Sequence, residues 1–247
     1  MENTGPRGIQ SIEVGGQLLT ALAHHGRPLA LKDLAAAAGM AAAKAHPYLV
    51  SFIKIGLVEQ DGSKYGFGPL ALQLGLISLQ QYEPVRLATP RIEALALEIG
   101  HTVAIAVWGN CGPTIVRVAE APSPVHISMR HGTVMSLRGT ASGRLFTAHL
   151  PPAIAAAADT ETGEPLGAHA LSTIRKAGLA SSQDGVVMGV SALAAPVFDD
   201  QGRIVLSLTA IGPSGSFDAA PDGLTAKALR RVGRDLSRQL GWKSSVG

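Results

Sequence analysis

A single cysteine, Cys111, stands among 247 residues. One thiol cannot close an internal disulfide, and no Cys/His cluster surrounds it to hold a metal. It is read as a small buried apolar residue. Aromatic residues are scarce at 4%, so alanine, leucine, glycine and valine carry the apolar load. No apolar run approaches the roughly 18 residues that a membrane-spanning helix needs, which excludes an expected span. The first residues, MENTGPRG, lack the apolar core of a signal peptide, so a cytoplasmic chain is expected. Strong charge of one sign is lacking too. Net charge is +3, with six basic against five acidic residues up to position 80 and 15 against 13 beyond it. Bulk electrostatics therefore names no polyanionic partner, and any nucleic-acid reading has to rest on local geometry.

Catalytic patterns are equally sparse. Eight histidines (His24, His25, His46, His101, His126, His131, His149 and His169) are scattered, without H-E-x-x-H spacing. Asp199 and Asp200 sit in a turn signal, where aspartate serves as a turn former. No G-x-S-x-G elbow or phosphate-cradling glycine loop occurs. The chain is not expected to be an enzyme, and no cofactor is expected.

What is present is a 46% hydrophobic content, enough for sizeable cores. Ile9, Ile12, Leu18, Leu19 and Leu22 recur near helical spacing, which predicts a helix over residues 9–25 capped by Gly8 or Ser11. Its Gly15-Gly16 pair implies either close backbone packing or a later start, since each glycine costs about 1 kcal/mol there. A second helix is expected over 31–38, with Leu31, Leu34 and Ala35 inward, ended by Gly39 and anchored by Met40. A third follows over 41–55, with Leu49, Phe52 and Ile53 inward and Lys44, Ala45, Tyr48 and Ser51 on other faces. Leu57–Gln60 and Lys64–Phe67 flank Asp61-Gly62-Ser63 as a hairpin. Two helices, a glycine turn and a hairpin outline a winged helix-turn-helix, which places one helix in the DNA major groove.

Residues 69–79 form a strongly apolar helix expected to pack on a partner chain or domain. Residues 84–99 form another, with Leu87, Ile92, Leu95 and Ile99 on one side. From residue 102 the period changes to that of strands: TVAIAVWG, TIVRVAEA, VHISMR and TVMSL, then a long hairpin around Asp199–Gly202. Short helices lie between, and a charged-faced helix closes the chain. The second half is expected to be a mixed sheet with helices, in the α+β style of small-molecule sensor domains.

In order and spacing, several segments together resemble the IclR family of bacterial transcriptional regulators. They are Ser11–Glu13, LKDLAAAAGM, LVSFIKIGLVEQDG, YGFGPLALQLG, TVAIAV, Thr140–Gly143, Ala194–Gly202 and the strand ending at Pro213. The resemblance implies an α+β chain of three parts. These are a winged helix-turn-helix over 1–68, a dimerising linker helix over 69–83, and an effector-binding domain similar to GAF and PAS folds over 84–247. It also implies double-stranded operator DNA, a small effector and a second copy of the chain (homodimer or homotetramer) as partners.

For DNA, Lys44, His46 and Tyr48 are the expected contacts of the recognition helix, with Ala42 allowing close approach. Arg7, Lys64 and Tyr65 are expected at the phosphate backbone. Pro47 stands where the family often places arginine. A proline disfavours helix at the residue before it, so the helix is expected either to begin near Ala45 or to kink. For the effector, Thr140, Ala141 and Ser142 open a helix whose free amides attract a carboxylate. The resemblance carries over Ile127, Met129 and Met135 as apolar walls. Ser182, Val190, Ala192, Thr209 and Ile211 would face in from later segments. Such a set suits an aromatic or medium-sized apolar acid better than a very small polar one. The expected function is a ligand-responsive regulator of a catabolic operon. The alternative is a sensing or interaction protein whose sequence-specific DNA binding is weakened or lost.

Overall fold

The computed structural model describes residues 8–123, 127–162 and 164–243. The chain divides into two units, Met1–Gln80 and Gln81–Gly247. In the first, α1 (Gln10–His25), β1 (Leu29–Ala30), α2 (Leu31–Ala37), α3 (Ala42–Lys54), β2 (Val58–Asp61) and β3 (Lys64–Phe67) follow one another. The strands form an antiparallel sheet in the order β1-β3-β2. Leu18, Leu22, Leu34, Leu49, Val58 and Tyr65 meet in its core.

The helix-turn-helix angle is fixed by a Schellman turn. Gly39 takes φ +67°, and its amide donates to Ala36 O while the Met40 amide donates to Ala35 O. Only glycine adopts this backbone cheaply, so Gly39 ends α2 and Met40 turns back onto the core. Some details depart from expectation. Ile9 is the N-cap of α1 without a side-chain cap bond, so neither Gly8 nor Ser11 caps it. Ile9 and Ile12 are exposed because the first turn of α1 extends beyond the core. Of the two readings of Gly15-Gly16, close packing holds at Gly15. A Cβ there would lie 2.9 Å from Phe52 Cζ and 3.1 Å from Tyr48 Cδ1, whereas Gly16 faces open space. Ala45 is fully buried rather than on an outer face, and Ile53 is exposed.

Helix α4 (Pro69–Gln81) carries no charged residue, and Leu72, Leu74, Leu76 and Ile77 are all exposed along it. Among the described residues no helix is long and apolar enough to cross a membrane.

The second unit opens with α5 (Glu83–Ile99), β4 (Thr102–Gly109) and β5 (Gly112–Ala119). It continues through α6 (Ala141–His149), α7 (Pro152–Ala158), α8 (Ala168–Ala177), β6 (Ala180–Gln183), β7 (Val190–Phe198), β8 (Ile204–Pro213) and α9 (Leu224–Gln239). The five strands are ordered β5-β4-β8-β7-β6, and every described pair is antiparallel. This corrects the mixed sheet expected from sequence. The helices lie before, between and after hairpins and make no parallel crossover. Strand alternation sorts β7 between two layers. Ala192 and Ala194 join Ala141, Leu145 and Phe146 of α6 in one cluster. On the other side, Gly233 of α9 comes close enough that a Cβ would lie 3.7 Å from Ala195 Cβ.

Among the described residues, the expected strands VHISMR and TVMSL do not form. Ile127–Arg130 is irregular, Val125 and His126 lie outside the described residues, and Val134 makes one isolated bridge to Thr114. The segment is tied down instead by scattered bonds. Thr102 Oγ1 donates to Ile127 O at 2.9 Å, and the Met135 amide donates to Pro113 O at 2.7 Å. Cys111 is half-buried in the β4–β5 turn rather than in the core.

Candidate functional site

The turn entering α6 is built by a chain of hydroxyl contacts. Thr140 is the N-cap: its Oγ1 accepts from the Gly143 amide at 3.0 Å and donates to Ser136 O at 2.7 Å. Ser136 Oγ in turn accepts from the Gly139 amide at 2.7 Å and donates to Glu161 at 2.9 Å. Glu161 also accepts from the Leu137 amide. Arg138 holds Asp159 through its Nη2 at 2.7 Å, and this bond keeps the aspartate carboxyl below its usual range. Arg144 donates to Arg138 O at 2.7 Å and to Ser181 O at 2.8 Å, joining the turn to β6. Gly143 cannot be replaced here without movement, since a Cβ would sit 2.0 Å from Ser136 O.

The turn borders a cavity of about 510 Å³. All eleven positions expected at an effector site line it: Ile127, Met129, Met135, Thr140, Ala141, Ser142, Ser182, Val190, Ala192, Thr209 and Ile211. Ala141 and Ser142 are buried, and first-turn amides have no partner within their own helix. Buried donors at the positive end of the α6 dipole favour an anion. Beside them Ser142 Oγ and Thr209 Oγ1 lie 2.8 Å apart, both buried. The remaining wall is mainly apolar.

Sequence reading missed part of the wall. Ser128, Thr133, Val134, Ser136 and Gly139 border the cavity, and so do Gly185, Val186 and Val187 of the loop after β6. The available signal was Gly185 followed by two valines inside a polar loop. A Cβ at Gly185 would lie 2.1 Å from Gly139 O, so glycine lets this loop touch the α6 turn. Arg130 is exposed and also borders the cavity.

The residues expected at DNA separate into three groups. Lys44, His46 and Lys64 are exposed on α3 and β3. Ala42 and Tyr48 are half-buried against the core, the Tyr48 ring lying over Gly15. Tyr65 is 6% exposed and pairs with Leu29, so it is a core residue and not a backbone contact. Arg7 lies outside the described residues. Helix α3 starts at Ala42, close to the expected 41–55 helix, and runs through Pro47, so of the two outcomes expected at Pro47 the start near Ala45 is excluded. Lacking an N–H, Pro47 leaves the Ala43 carbonyl without its helical donor. Ser51 is exposed as expected, and Val50 and Lys54, not singled out from sequence, are also exposed on this helix.

Comparison with known proteins gives the same division. Residues 11–62 match the IclR helix-turn-helix domain, and residues 77–238 match the bacterial transcriptional regulator IclR C-terminal domain. The glycerol operon regulatory protein of Streptomyces griseus is 31% identical, over 95% of this chain and 98% of that protein. Pseudomonas aeruginosa HmgR is 33% identical over 96% of this chain and all of its own, with a TM-score of 0.60. An IclR homolog from Microbacterium hydrocarbonoxydans, crystallised with 4-hydroxybenzoate, shares the fold at 16% identity and a TM-score of 0.73. That match covers 93% of this chain and 98% of the homolog.

Proposed function

Because the chain belongs to the IclR family and is a DNA-binding transcriptional regulator, we propose that its effector is a small organic acid with an apolar, preferably aromatic, body and that it controls a catabolic operon. The observation that carries this reading is the pairing of buried α6 amides with a mainly apolar cavity of about 510 Å³. The carboxylate takes the amides of Ala141 and Ser142 and the Ser142 hydroxyl. The ring lies against Met129, Met135 and Val187. An acid bound in this way changes DNA affinity by holding the sensor domain in one of two arrangements, which requires different affinity for the two. Self-association through the uncharged, exposed α4 would set the distance between two DNA-binding units. The homolog crystallised with 4-hydroxybenzoate supports the acid class by fold likeness.

The test uses the full chain, benzoate and 4-hydroxybenzoate as probes, and DNA flanking its own gene. At a hundredfold excess over Kd a ligand adds about 2.7 kcal/mol to stability, a shift of several degrees in melting. Such a shift, with altered gel-shift affinity, is expected from at least one acid. If a panel of aromatic and aliphatic acids moves neither readout, the effector assignment fails.

A further inference from the structure

The outward face of α3 is apolar where a base-reading helix usually carries hydrogen-bonding side chains. At 100° per residue, Ala43, Pro47, Val50 and Lys54 share an arc of about 60°. That arc lies opposite Ala45 and Leu49, which are fully buried in the core. All four are exposed, and three of the four cannot donate or accept through a side chain. Lys44 and His46 project from opposite flanks of this arc, and Lys54 is the one charged residue within it, confined to the last turn of the helix. Ser51 is engaged locally, its Oγ donating to Pro47 O at 3.0 Å.

In a helix-turn-helix the second helix enters the major groove by the face opposite its core contacts. In that groove thymine is the base that offers a methyl group, while the other bases are distinguished by donors and acceptors. We infer that this chain reads its operator half-site through thymine methyls packed against Ala43, Pro47 and Val50. Lys44 and His46 hold the phosphate strands on either side of the helix. The inference rests on the DNA-binding reading and names the bases it recognises. Pro47 is the specificity-determining residue: it fills the central outward position with a rigid apolar ring and removes any guanine-reading side chain there.

The experiment starts from selection of binding sites out of random duplexes by the full-length protein. Convergence on half-sites with thymine clusters is expected. The selected duplex is then made with deoxyuridine in place of thymine, which deletes the C5 methyl and leaves every hydrogen-bonding group. Binding should weaken about fourfold for each methyl buried against α3. The variant Pro47→Arg, selected afresh, should gain guanine at the corresponding step and lose its dependence on that methyl. Its melting temperature serves as the check on folding. If selection converges but uracil and thymine duplexes bind equally, the methyl readout is wrong while DNA binding stands. If no sequence is enriched, the DNA-binding reading itself fails and the apolar face of α3 is free to meet protein.

Discussion

Ser142 Oγ stands 2.8 Å from Thr209 Oγ1, tying the first turn of α6 to the middle of β8 at the cavity wall. Both residues are buried, and the other neighbour of Thr209 Oγ1, Ser207 Oγ, is 3.5 Å away, too far for a firm bond. Removing one hydroxyl should therefore cost more than removing both. Ser142→Ala should lose about 1–3 kcal/mol by leaving Thr209 unsatisfied. The double variant Ser142→Ala with Thr209→Val should recover most of that loss, because two apolar groups of similar shape leave nothing unpaired. Denaturant unfolding of the two single variants and the double variant measures the coupling. Equal losses that simply add would show that the two hydroxyls do not depend on each other.

His149 occupies the last turn of α6, with its ring against Phe198 at 5.1 Å between centroids. Its Nε2 is buried without a hydrogen-bond partner among the described residues. Burial, reinforced by the Arg175 guanidinium, holds its pKa down to about 4. The unfolded chain therefore takes up this proton first as pH falls below about 6.5. Stability contributed by neutral His149 is complete above that value, declines between pH 6.5 and 4, and levels off below. The decline amounts to at most about 3 kcal/mol. His149→Leu should flatten unfolding free energy across this window and leave stability at pH 7 unchanged or higher, since a buried orphan nitrogen disappears. Asp159 acts in a separate window. Its carboxyl, depressed chiefly by the bond from Arg138, adds stability above the unfolded carboxylate value that is lost as pH falls through its lower folded one. Asp159→Asn should thus leave the slope between pH 6.5 and 4 intact. A His149→Leu variant that kept this slope would show that another group produces it.

These two residues mark the boundary of what the sequence makes legible. The α6 entry is readable because Thr140-Ala141-Ser142-Gly143 is a local signal: a cap hydroxyl and a glycine three residues on, whose amide that hydroxyl accepts. The hairpin around Gly62 and the β7–β8 pair are readable for the same reason, since turn chemistry and alternation act over few residues. Links across longer separations leave no local trace. Ser136 and Arg138 meet Glu161 and Asp159 more than 20 positions away, across α6 and α7. Tyr65 was misplaced because β1 is two residues long, too short to show a period. With Leu29 beside it, β3 turns that ring inward. At Pro47 local sequence leaves a later start and a kink both open. Proline disfavours a helix interior, but the packing of Ala45 and Leu49 on the core keeps α3 continuous through it.

The inward turn of Tyr65 and the outward position of Lys44 give opposite expectations for DNA binding. Lys44 is exposed on the flank of α3, and a lysine that neutralises one phosphate releases about one counterion. Lys44→Ala should weaken binding across specific and random duplexes alike and reduce the slope of log K against log salt by about one. Tyr65→Phe should leave both the affinity and the slope unchanged, because the ring stays in the core beside Leu29. Tyr65→Ala should instead lower the melting temperature of the DNA-binding unit, by an amount corresponding to about 3–5 kcal/mol for a buried aromatic truncation. Titrations between 50 and 200 mM salt, run beside melting curves, separate these effects. A Tyr65→Phe variant with weaker binding at every salt concentration would return the tyrosine hydroxyl to the phosphate backbone, and an unchanged slope in Lys44→Ala would remove Lys44 from it.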